Sequence, residues 1–246
     1  MTWNYEPAGD LDKSLAERLR HFPREPDISV YAARSLVALT IRCWLRLYHR
    51  FEVSGVEHLP LEGSFIMVAN HASHLDTLCI LSARPLRKLH RAFPAAAQDY
   101  FFVSVPRLAV AAIVVNALPF GRHGHIRNSL EACRHLLESA GNILILFPEG
   151  TRTRTGEIGE FKSGIGLLAA GTEIPVVPCH LAGAFEAWPK GKKFPRPRRL
   201  RLRIGAPRKY ASLSPGKESS GRVSEDLRSA VVALSEITGL NSNFPS

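Results

Sequence analysis

A histidine and an aspartate, His71 and Asp76, stand five residues apart in the segment 70–76. Histidine is the side chain that titrates near neutral pH, so it can take a proton from a hydroxyl group, and a carboxylate on its other ring nitrogen can orient it. Because a helix turns by about 100° per residue, positions five apart lie on different faces of a regular helix. The two side chains can therefore meet only if His71 lies in a turn and Asp76 in the first turn of the next helix.

The residues on either side of this segment predict such a turn. The apolar run 64–69 indicates a buried strand, and the run 75–83 indicates the start of a helix. Strand ends are where α/β proteins place their sites. The sequence thus favours a site at a strand-to-helix turn.

The same residues also have simpler interpretations. Ser73 and Asp76 form an S-x-x-D capping box, which taken alone is the commoner use of such a pattern, and Asp76 could serve both purposes because the helix dipole favours a carboxylate in the first turn. His71 and His74 would suggest a metal pair, but no third ligand follows at a suitable spacing. We therefore predict no metal site.

A second polar segment follows another buried strand. Residues 142–147 are apolar and run into Pro148-Glu149-Gly150-Thr151-Arg152. Arginine suits a phosphate because its guanidinium can donate two parallel hydrogen bonds, and glycine lets the backbone approach closely. Glu149 is either a buried partner of an arginine or a site residue. Two later cations either extend a phosphate pocket or face solvent: Arg154 and Lys162.

The charge balance predicts an anionic partner. The chain of 246 residues has 32 basic and 22 acidic residues, a net charge of +10, which suits nucleic acid, an anionic membrane or a phosphorylated substrate. Ten basic residues and no acidic ones lie between Lys190 and Lys209, with Phe194 as the only aromatic residue. This run lacks a nucleic-acid reader motif, so we predict no nucleic-acid partner. The four cysteines are far apart and are expected to be free thiols.

The segment 30–51 predicts a basic amphipathic helix. It is interrupted by four arginines, so it cannot cross a membrane, and their spacings of eight, four and four predict an arginine stripe on one helical face: Arg34, Arg42, Arg46 and Arg50. We predict that it lies on a membrane surface, whereas the alternative is a helix packed on the domain with its arginines in water. Residues 1–27 carry charges and prolines throughout, which argues against a signal peptide. The expected organisation is an arm and membrane-surface helix over residues 1–50 and one domain over residues 51–246.

Strand and helix patterns alternate along the rest of the chain, which indicates an α/β fold with a single mixed, largely parallel sheet flanked by helices. Three arginines, Arg199, Arg201 and Arg203, alternate with apolar residues, so a strand there would carry them on one face. Further strands are expected at 51–57, 91–97, 117–120 and 174–178, and helices at 108–116, 126–140 (ended by Gly141), 162–171 and 224–238 (capped by Ser224).

The segments around His71 and Arg152 together resemble the glycerolipid acyltransferases, and more closely the bacterial 1-acylglycerol-3-phosphate acyltransferases. His71 and Asp76 match that family's catalytic dyad, and residues 147–152 match its glycerophosphate-binding loop. Residues 119–122 stand where the family has a short motif that ends in arginine, here Arg122, although Gly121 replaces the acidic residue that often precedes it. Residues 174–178 match an apolar fourth block, so the resemblance covers roughly residues 50–210.

The resemblance implies an enzyme with the glycerol-3-phosphate acyltransferase-like fold. It would move a fatty acyl group from acyl-CoA or acyl-carrier protein to the 2-hydroxyl of 1-acylglycerol-3-phosphate and give phosphatidate, with His71 as the base and Asp76 as its orienter. The phosphate would be bound by Arg122, Glu149, Gly150, Thr151 and Arg152. From their place beside Arg122, we expect His123 and His125 to be loop residues. No cofactor is implied beyond the acyl donor as co-substrate.

Other functions compete with this prediction. The same chemistry could act on another lysophospholipid, a lyso-ornithine lipid or a glycolipid, and an acceptor without phosphate would not need Arg152. An inactive membrane-binding scaffold is disfavoured because the dyad is intact. The expected location is the cytoplasmic face of the cell membrane, as a peripheral or monotopic protein.

Overall fold

The computed structural model of the chain describes residues 28–97, 115–121 and 126–240. Seven strands form one sheet in the order β1-β7-β6-β2-β5-β3-β4. All neighbouring strands are parallel except β6 and β7, which are antiparallel. The strands are β1 (Glu52–Ser54), β2 (Phe65–Ala69), β3 (Ala92–Ala97), β4 (Leu118–Phe120), β5 (Ile143–Leu146), β6 (Val176–Ala182) and β7 (Arg201–Ile204). The predicted mixed, largely parallel sheet is confirmed.

Helices cover both faces of this sheet. One apolar cluster joins the sheet to α1, α2 and α5, and a second joins its other face to α3, α4 and α6. Alternate residues of β2 belong to different clusters, as the two-residue period of a strand requires. The α-helices are α1 (Ile28–His49), α2 (Leu75–Ser82), α3 (Ile126–Glu138), α4 (Gly164–Ala169), α5 (Ala184–Ala187) and α6 (Lys217–Leu240), and short 3-10 helices lie at Val56–His58 and Leu86–Arg91.

The central position of β2 decides where a site can form. β5 and β6 pair with β2 on its two sides, and both are parallel to it. The carboxyl ends of these three strands therefore lie at one edge of the sheet, where α/β proteins bind ligands. The loops after all three strands meet there.

Most predicted elements are present, with differences at their ends. Helix α3 ends at Glu138, and Gly141, three residues later in the turn that follows, has a φ of 83°, which glycine adopts readily. The last helix begins at Lys217, so Ser224 is not its cap; it lies inside α6 and its hydroxyl contacts the carbonyls of Ser220 and Lys162. Residues 1–27, the predicted helix at 108–116 up to residue 114, and residues 122–125 lie outside the described part of the chain.

Helix α1 differs from the predicted arginine stripe. Arg34 is buried and donates to Asn116 Oδ1 at 3.1 Å, and Arg42 donates to the carbonyl of Arg84. Arg50 lies beyond the helix with a φ of 46°. The arginines are therefore divided between the protein side and the solvent side, because two of them satisfy carbonyl or amide oxygens of the neighbouring elements.

The solvent side of α1 is instead rich in leucine. Leu36, Leu39 and Leu47 are 68%, 50% and 84% exposed, and Arg46 is exposed beside them. No helix in the described part of the chain has a stretch long and apolar enough to cross a bilayer.

Candidate active site

The turn after β2 is tied to β6 by one amide side chain. Asn70 Nδ2 donates to the carbonyl of Leu181 at 3.1 Å, and the N–H of Leu181 donates to Asn70 Oδ1 at 2.9 Å. The side chain thus continues the backbone pairing of β2 with β6 for one more step. This fixes the point at which the chain leaves the sheet and the position of the next residue, His71.

His71 and Asp76 meet in the predicted way. His71 Nδ1 lies 2.8 Å from Asp76 Oδ2, and because a carboxylate only accepts, Nδ1 donates. Asp76 is fully buried, and the His71 side chain is 19% exposed. Nε2 has no hydrogen-bond partner among the described residues and is the ring nitrogen left for a substrate.

Asp76 also caps the turn. Its Oδ2 accepts the backbone N–H groups of Ala72 at 2.7 Å and Ser73 at 2.8 Å. The capping role and the contact with His71 therefore use the same oxygen. Oδ1 is buried without a hydrogen-bond partner in the described part of the chain.

The imidazole has an aromatic neighbour from the second turn. The rings of His71 and Phe147 stack with their centroids 4.2 Å apart and their planes 19° from parallel. Phe147 directly follows β5, so two neighbouring strand ends hold the histidine between them. Sequence reasoning did not find this contact, because the two residues are far apart in the chain.

Glu149 holds the two turns together. Its Oε1 accepts the backbone N–H of His71 at 2.7 Å, and its Oε2 accepts the N–H of Gly159 at 3.1 Å. The carboxyl is buried, which raises its pKa, although the two backbone hydrogen bonds act in the opposite direction. Both carboxylate oxygens thus accept backbone N–H groups. By these contacts, Glu149 supports the backbone of His71.

The segment after Glu149 brings cations to the same edge. Gly150 has a φ of 72°, and a Cβ there would lie 2.7 Å from Lys162 Nζ, so the Lys162 side chain passes directly over this glycine. Thr151 is exposed and Arg152 is half-buried. Arg152 is near enough to the first turn for its charge to contribute to the lowered pKa of His74.

The rings of His74 and Trp188 are in contact beside His71, and the sequence did not predict this contact. The two rings meet edge to face with centroids 5.5 Å apart, and Ser73 Oγ donates to the carbonyl of Trp188 at 2.8 Å. Burial, followed by the charge of Arg152, lowers the pKa of His74 to about 4, so this histidine is neutral at pH 7. A tryptophan just after a short helix gives no local pattern that points to a site.

The remaining predicted site residues divide into two groups. Gly150, Thr151 and Arg152 lie in the turn that Glu149 joins to His71. Arg122, His123 and His125 lie outside the described residues. Within the described ranges, no cluster of three or more histidine, cysteine, aspartate or glutamate side chains is placed to hold a metal ion.

This arrangement has the chemical parts of an acyl-transfer site. An imidazole has one nitrogen on a buried carboxylate and the other accessible, and a segment with an arginine and a lysine lies beside it. A hydroxyl placed at Nε2 could lose its proton to the ring, and an anionic group could bind to the cations.

Comparison with known proteins agrees with the fold and the motifs. Residues 50–182 match the family model described as Acyltransferase, which is more than half of the chain, and the chain belongs to this family. In structure it is similar to the 1-acyl-sn-glycerophosphate acyltransferase PlsC of Thermotoga maritima, with a TM-score of 0.65 and 24% identity over 88% of this chain and 81% of that one. At this identity the likeness supports the fold.

Two curated relatives carry the same activity in their names. The chain is 30% identical over 149 residues to a chloroplastic 1-acyl-sn-glycerol-3-phosphate acyltransferase of Brassica napus, covering 59% of this chain and 41% of the relative. It is 26% identical over 167 residues to the mouse 1-acyl-sn-glycerol-3-phosphate acyltransferase alpha, covering 68% of this chain and 57% of the relative. The chain thus spans about half the length of the curated relatives it matches.

Proposed function

We propose that the protein transfers a fatty acyl group from a thioester, acyl-CoA or acyl-carrier protein, to the 2-hydroxyl of 1-acylglycerol-3-phosphate. The observation that carries this proposal is the contact between His71 Nδ1 and buried Asp76 Oδ2, beside the segment that contains Arg152. Family membership and the names of the relatives support the acyl-transfer chemistry and the acceptor.

In this mechanism His71 acts as the general base. Nε2 accepts the proton of the acceptor hydroxyl while its oxygen attacks the thioester carbonyl, and Asp76 stabilises the imidazolium that forms. Collapse of the tetrahedral intermediate releases the thiolate, which takes up the proton as the free thiol. The acceptor alcohol is itself the nucleophile, so both substrates must occupy the site together.

In this proposal the phosphate of the acceptor has its ligands in the segment 150–152. This phosphate is esterified to C3 of the glycerol, next to the carbon that bears the reacting 2-hydroxyl. It must therefore lie close to His71. Arg152 is the cation of this segment and is close enough to His74 to affect its pKa. We assign the acceptor phosphate to Arg152, with the Gly150 and Thr151 backbone beside it; Arg122 remains a predicted ligand.

The direct test is acyl transfer by the purified chain with labelled acyl-CoA and 1-acylglycerol-3-phosphate. His71→Ala should lower kcat by roughly 10²–10⁴-fold, the usual value of general-base catalysis. His135→Ala is the matched control, because His135 is an exposed histidine on α3 whose side chain is 79% accessible. A His71→Ala enzyme with full kcat would exclude this mechanism.

A panel of acceptors tests the choice of substrate. If the acceptor phosphate binds Arg152, Arg152→Ala should raise the KM for 1-acylglycerol-3-phosphate and leave the KM for a lysolipid without phosphate unchanged. Faster transfer to a lyso-ornithine lipid or a glycolipid, with no effect of Arg152→Ala, would favour the second candidate, the same chemistry on that acceptor.

We also propose that α1 rests on the cytoplasmic surface of the membrane. The exposed leucines, Leu36, Leu39 and Leu47, lie beside Arg46 on a chain with a net charge of +10, and apolar plus basic surface favours an anionic bilayer. Changing the three leucines to serine should abolish co-sedimentation with anionic vesicles. Leu61→Ser is the control, because Leu61 is 88% exposed outside α1. Equal loss in the control would contradict the assignment.

A further inference from the structure

A cleft of ≈ 400 Å³ opens beside the site and is not needed for the steps described above. It lies between the loop that follows Arg152 and the segment that follows α5. Its lining residues are Thr153, Arg154, Phe185, Pro189 and Lys190.

Both walls of this cleft are attached to the turn that carries His71. On one side, the N–H of Thr153 donates to the carbonyl of His71 at 2.8 Å. On the other side, Pro189 and Lys190 follow Trp188, whose carbonyl accepts the hydroxyl of Ser73 at 2.8 Å. Both walls of the cleft are therefore held against the turn that carries His71.

The loop that forms the first wall is held in shape by its own contacts. Thr153 Oγ1 accepts the N–H groups of Thr155 at 3.3 Å and Gly156 at 3.2 Å. Gly156 has a φ of 92°, and a Cβ there would lie 3.0 Å from the Phe185 ring. The loop thus packs against Phe185.

The lining has two cations at an apolar surface. Arg154 and Lys190 are both exposed, and neither forms an ion pair with a described residue. Phe185 and Pro189 supply half-buried apolar surface between them. This combination suits a ligand with a flexible, uncharged arm that ends in a phosphate.

We infer that this cleft binds the phosphopantetheine arm of the acyl donor, with its phosphate on Arg154 and Lys190 and its amide chain along Phe185 and Pro189. The inference rests on the proposed function. In a direct transfer both anionic substrates are bound at once, so two phosphates need separate cations. The acceptor phosphate must lie near the reacting hydroxyl, whereas a long arm separates the donor's phosphate from its sulfur.

Binding without catalysis is the first test. Coenzyme A, 4′-phosphopantetheine and pantetheine, which has no phosphate, are titrated into the full chain by calorimetry. Arg154→Ala/Lys190→Ala should weaken binding of the first two by roughly tenfold or more, as expected for loss of charged hydrogen bonds, and leave pantetheine unchanged. Arg222→Ala/Lys217→Ala is the control, because it removes the same charges from exposed positions on α6. Unchanged coenzyme A binding in the cleft variant would overturn the inference.

Steady-state kinetics distinguish the possible sources of the phosphate. The cleft variant should raise the KM for both acyl-CoA and acyl-carrier protein and leave the KM for 1-acylglycerol-3-phosphate unchanged. A KM raised only for the acceptor would assign the cleft to the acceptor and overturn the inference. A KM raised only for acyl-CoA would assign the two cations to the nucleotide phosphates of coenzyme A and overturn the assignment to the phosphopantetheine arm.

The proposed function can fail separately. If the chain transfers no acyl group to 1-acylglycerol-3-phosphate, but the cleft variant loses affinity for coenzyme A and 4′-phosphopantetheine, the acceptor is wrong and the donor cleft stands.

Discussion

The turns after β2 and β5 follow neighbouring parallel strands, but their carboxylates contact different parts of the chain. Asp76 bonds residues of its own turn: the His71 ring and the N–H groups of Ala72 and Ser73. Glu149 instead reaches the other turn and accepts the N–H of His71, 78 positions away in sequence. The turn after β2 is thus held by contacts among its own residues. The turn after β5 adds a contact that supports the turn after β2.

This difference explains which role could be anticipated. A contact inside one short segment leaves a spacing that can be tested against helix geometry. A contact between two segments leaves only a glutamate after an apolar strand, which has several possible partners. Glu149 was predicted with the phosphate ligands, and its contacts in the structure are with the backbone.

The largest expected effect separates the two uses of Asp76. In Asp76→Asn, the amide oxygen can replace Oδ2 and still accept the turn's N–H groups, while the nitrogen replaces Oδ1, which has no partner among the described residues. Without the charge, the imidazolium loses its stabilisation, and kcat should fall roughly 10²–10⁴-fold.

Asp76→Ala is the companion variant. It also leaves buried N–H groups of the turn without an acceptor, so it should lose about 1–3 kcal/mol of unfolding free energy in addition to activity. Activity and urea unfolding measure the two effects. If Asp76→Asn kept full kcat, Asp76 would be only a cap.

Glu149→Gln tests the support between the turns. A glutamine has one acceptor oxygen, so its amide nitrogen must face a backbone N–H of either His71 or Gly159. We expect a loss of about 1–3 kcal/mol of stability, and a fall in kcat of roughly tenfold because His71 shifts.

Glu160→Gln is the control for this change, because Glu160 is an exposed glutamate in the same loop. A Glu149→Gln enzyme with normal kcat and a raised KM for the acceptor alone would indicate that Glu149 takes part in binding the acceptor phosphate.

Gly150→Ala tests whether Lys162 takes part in binding. Alanine at a φ of 72° should lose about 1–2 kcal/mol of stability, and its Cβ would displace the Lys162 ammonium. Gly63→Ala has a φ of 75° with nothing within 4 Å, so it reproduces the strain without the displacement. If Lys162 assists the acceptor phosphate, only Gly150→Ala should raise the acceptor KM, by roughly two- to fivefold. Equal KM values in both variants would place Lys162 outside the site.

The last expected effect, on stability and not on kcat or KM, concerns His74 in the first turn. Its pKa is about 4 in the folded protein and 6.5 ordinarily, so the unfolded chain binds the proton more tightly. The stability that neutral His74 contributes is present above pH 6.5 and is lost as the pH falls from 6.5 towards 4. In His74→Gln, the difference in urea stability between pH 7 and pH 5 should shrink by about 1–2 kcal/mol. An unchanged difference would show that His74 does not titrate in this range.

Helix α1 and strand β7 differ in the same way as the two turns do. The period of α1 was readable, but the side that each arginine faces was not, because Arg34 and Arg42 satisfy oxygens of Asn116 and Arg84 on other elements. In contrast, the alternation around Arg201 and Arg203 predicted the strand correctly, with Leu202 and Ile204 buried between half-buried arginines.

The largely parallel sheet and the contact of His71 with Asp76 could both be predicted from the amino-acid sequence. Both depend on short-range regularities: strand and helix periods in one case, and a fixed turn between a strand and a helix in the other. The tertiary structure decided what surrounds the dyad: Glu149 on the His71 backbone, Phe147 on its ring, and the Thr153 and Trp188 segments that form the cleft. These contacts exist because β2, β5 and β6 end at one edge of the sheet, and strand order is set by packing across the whole chain.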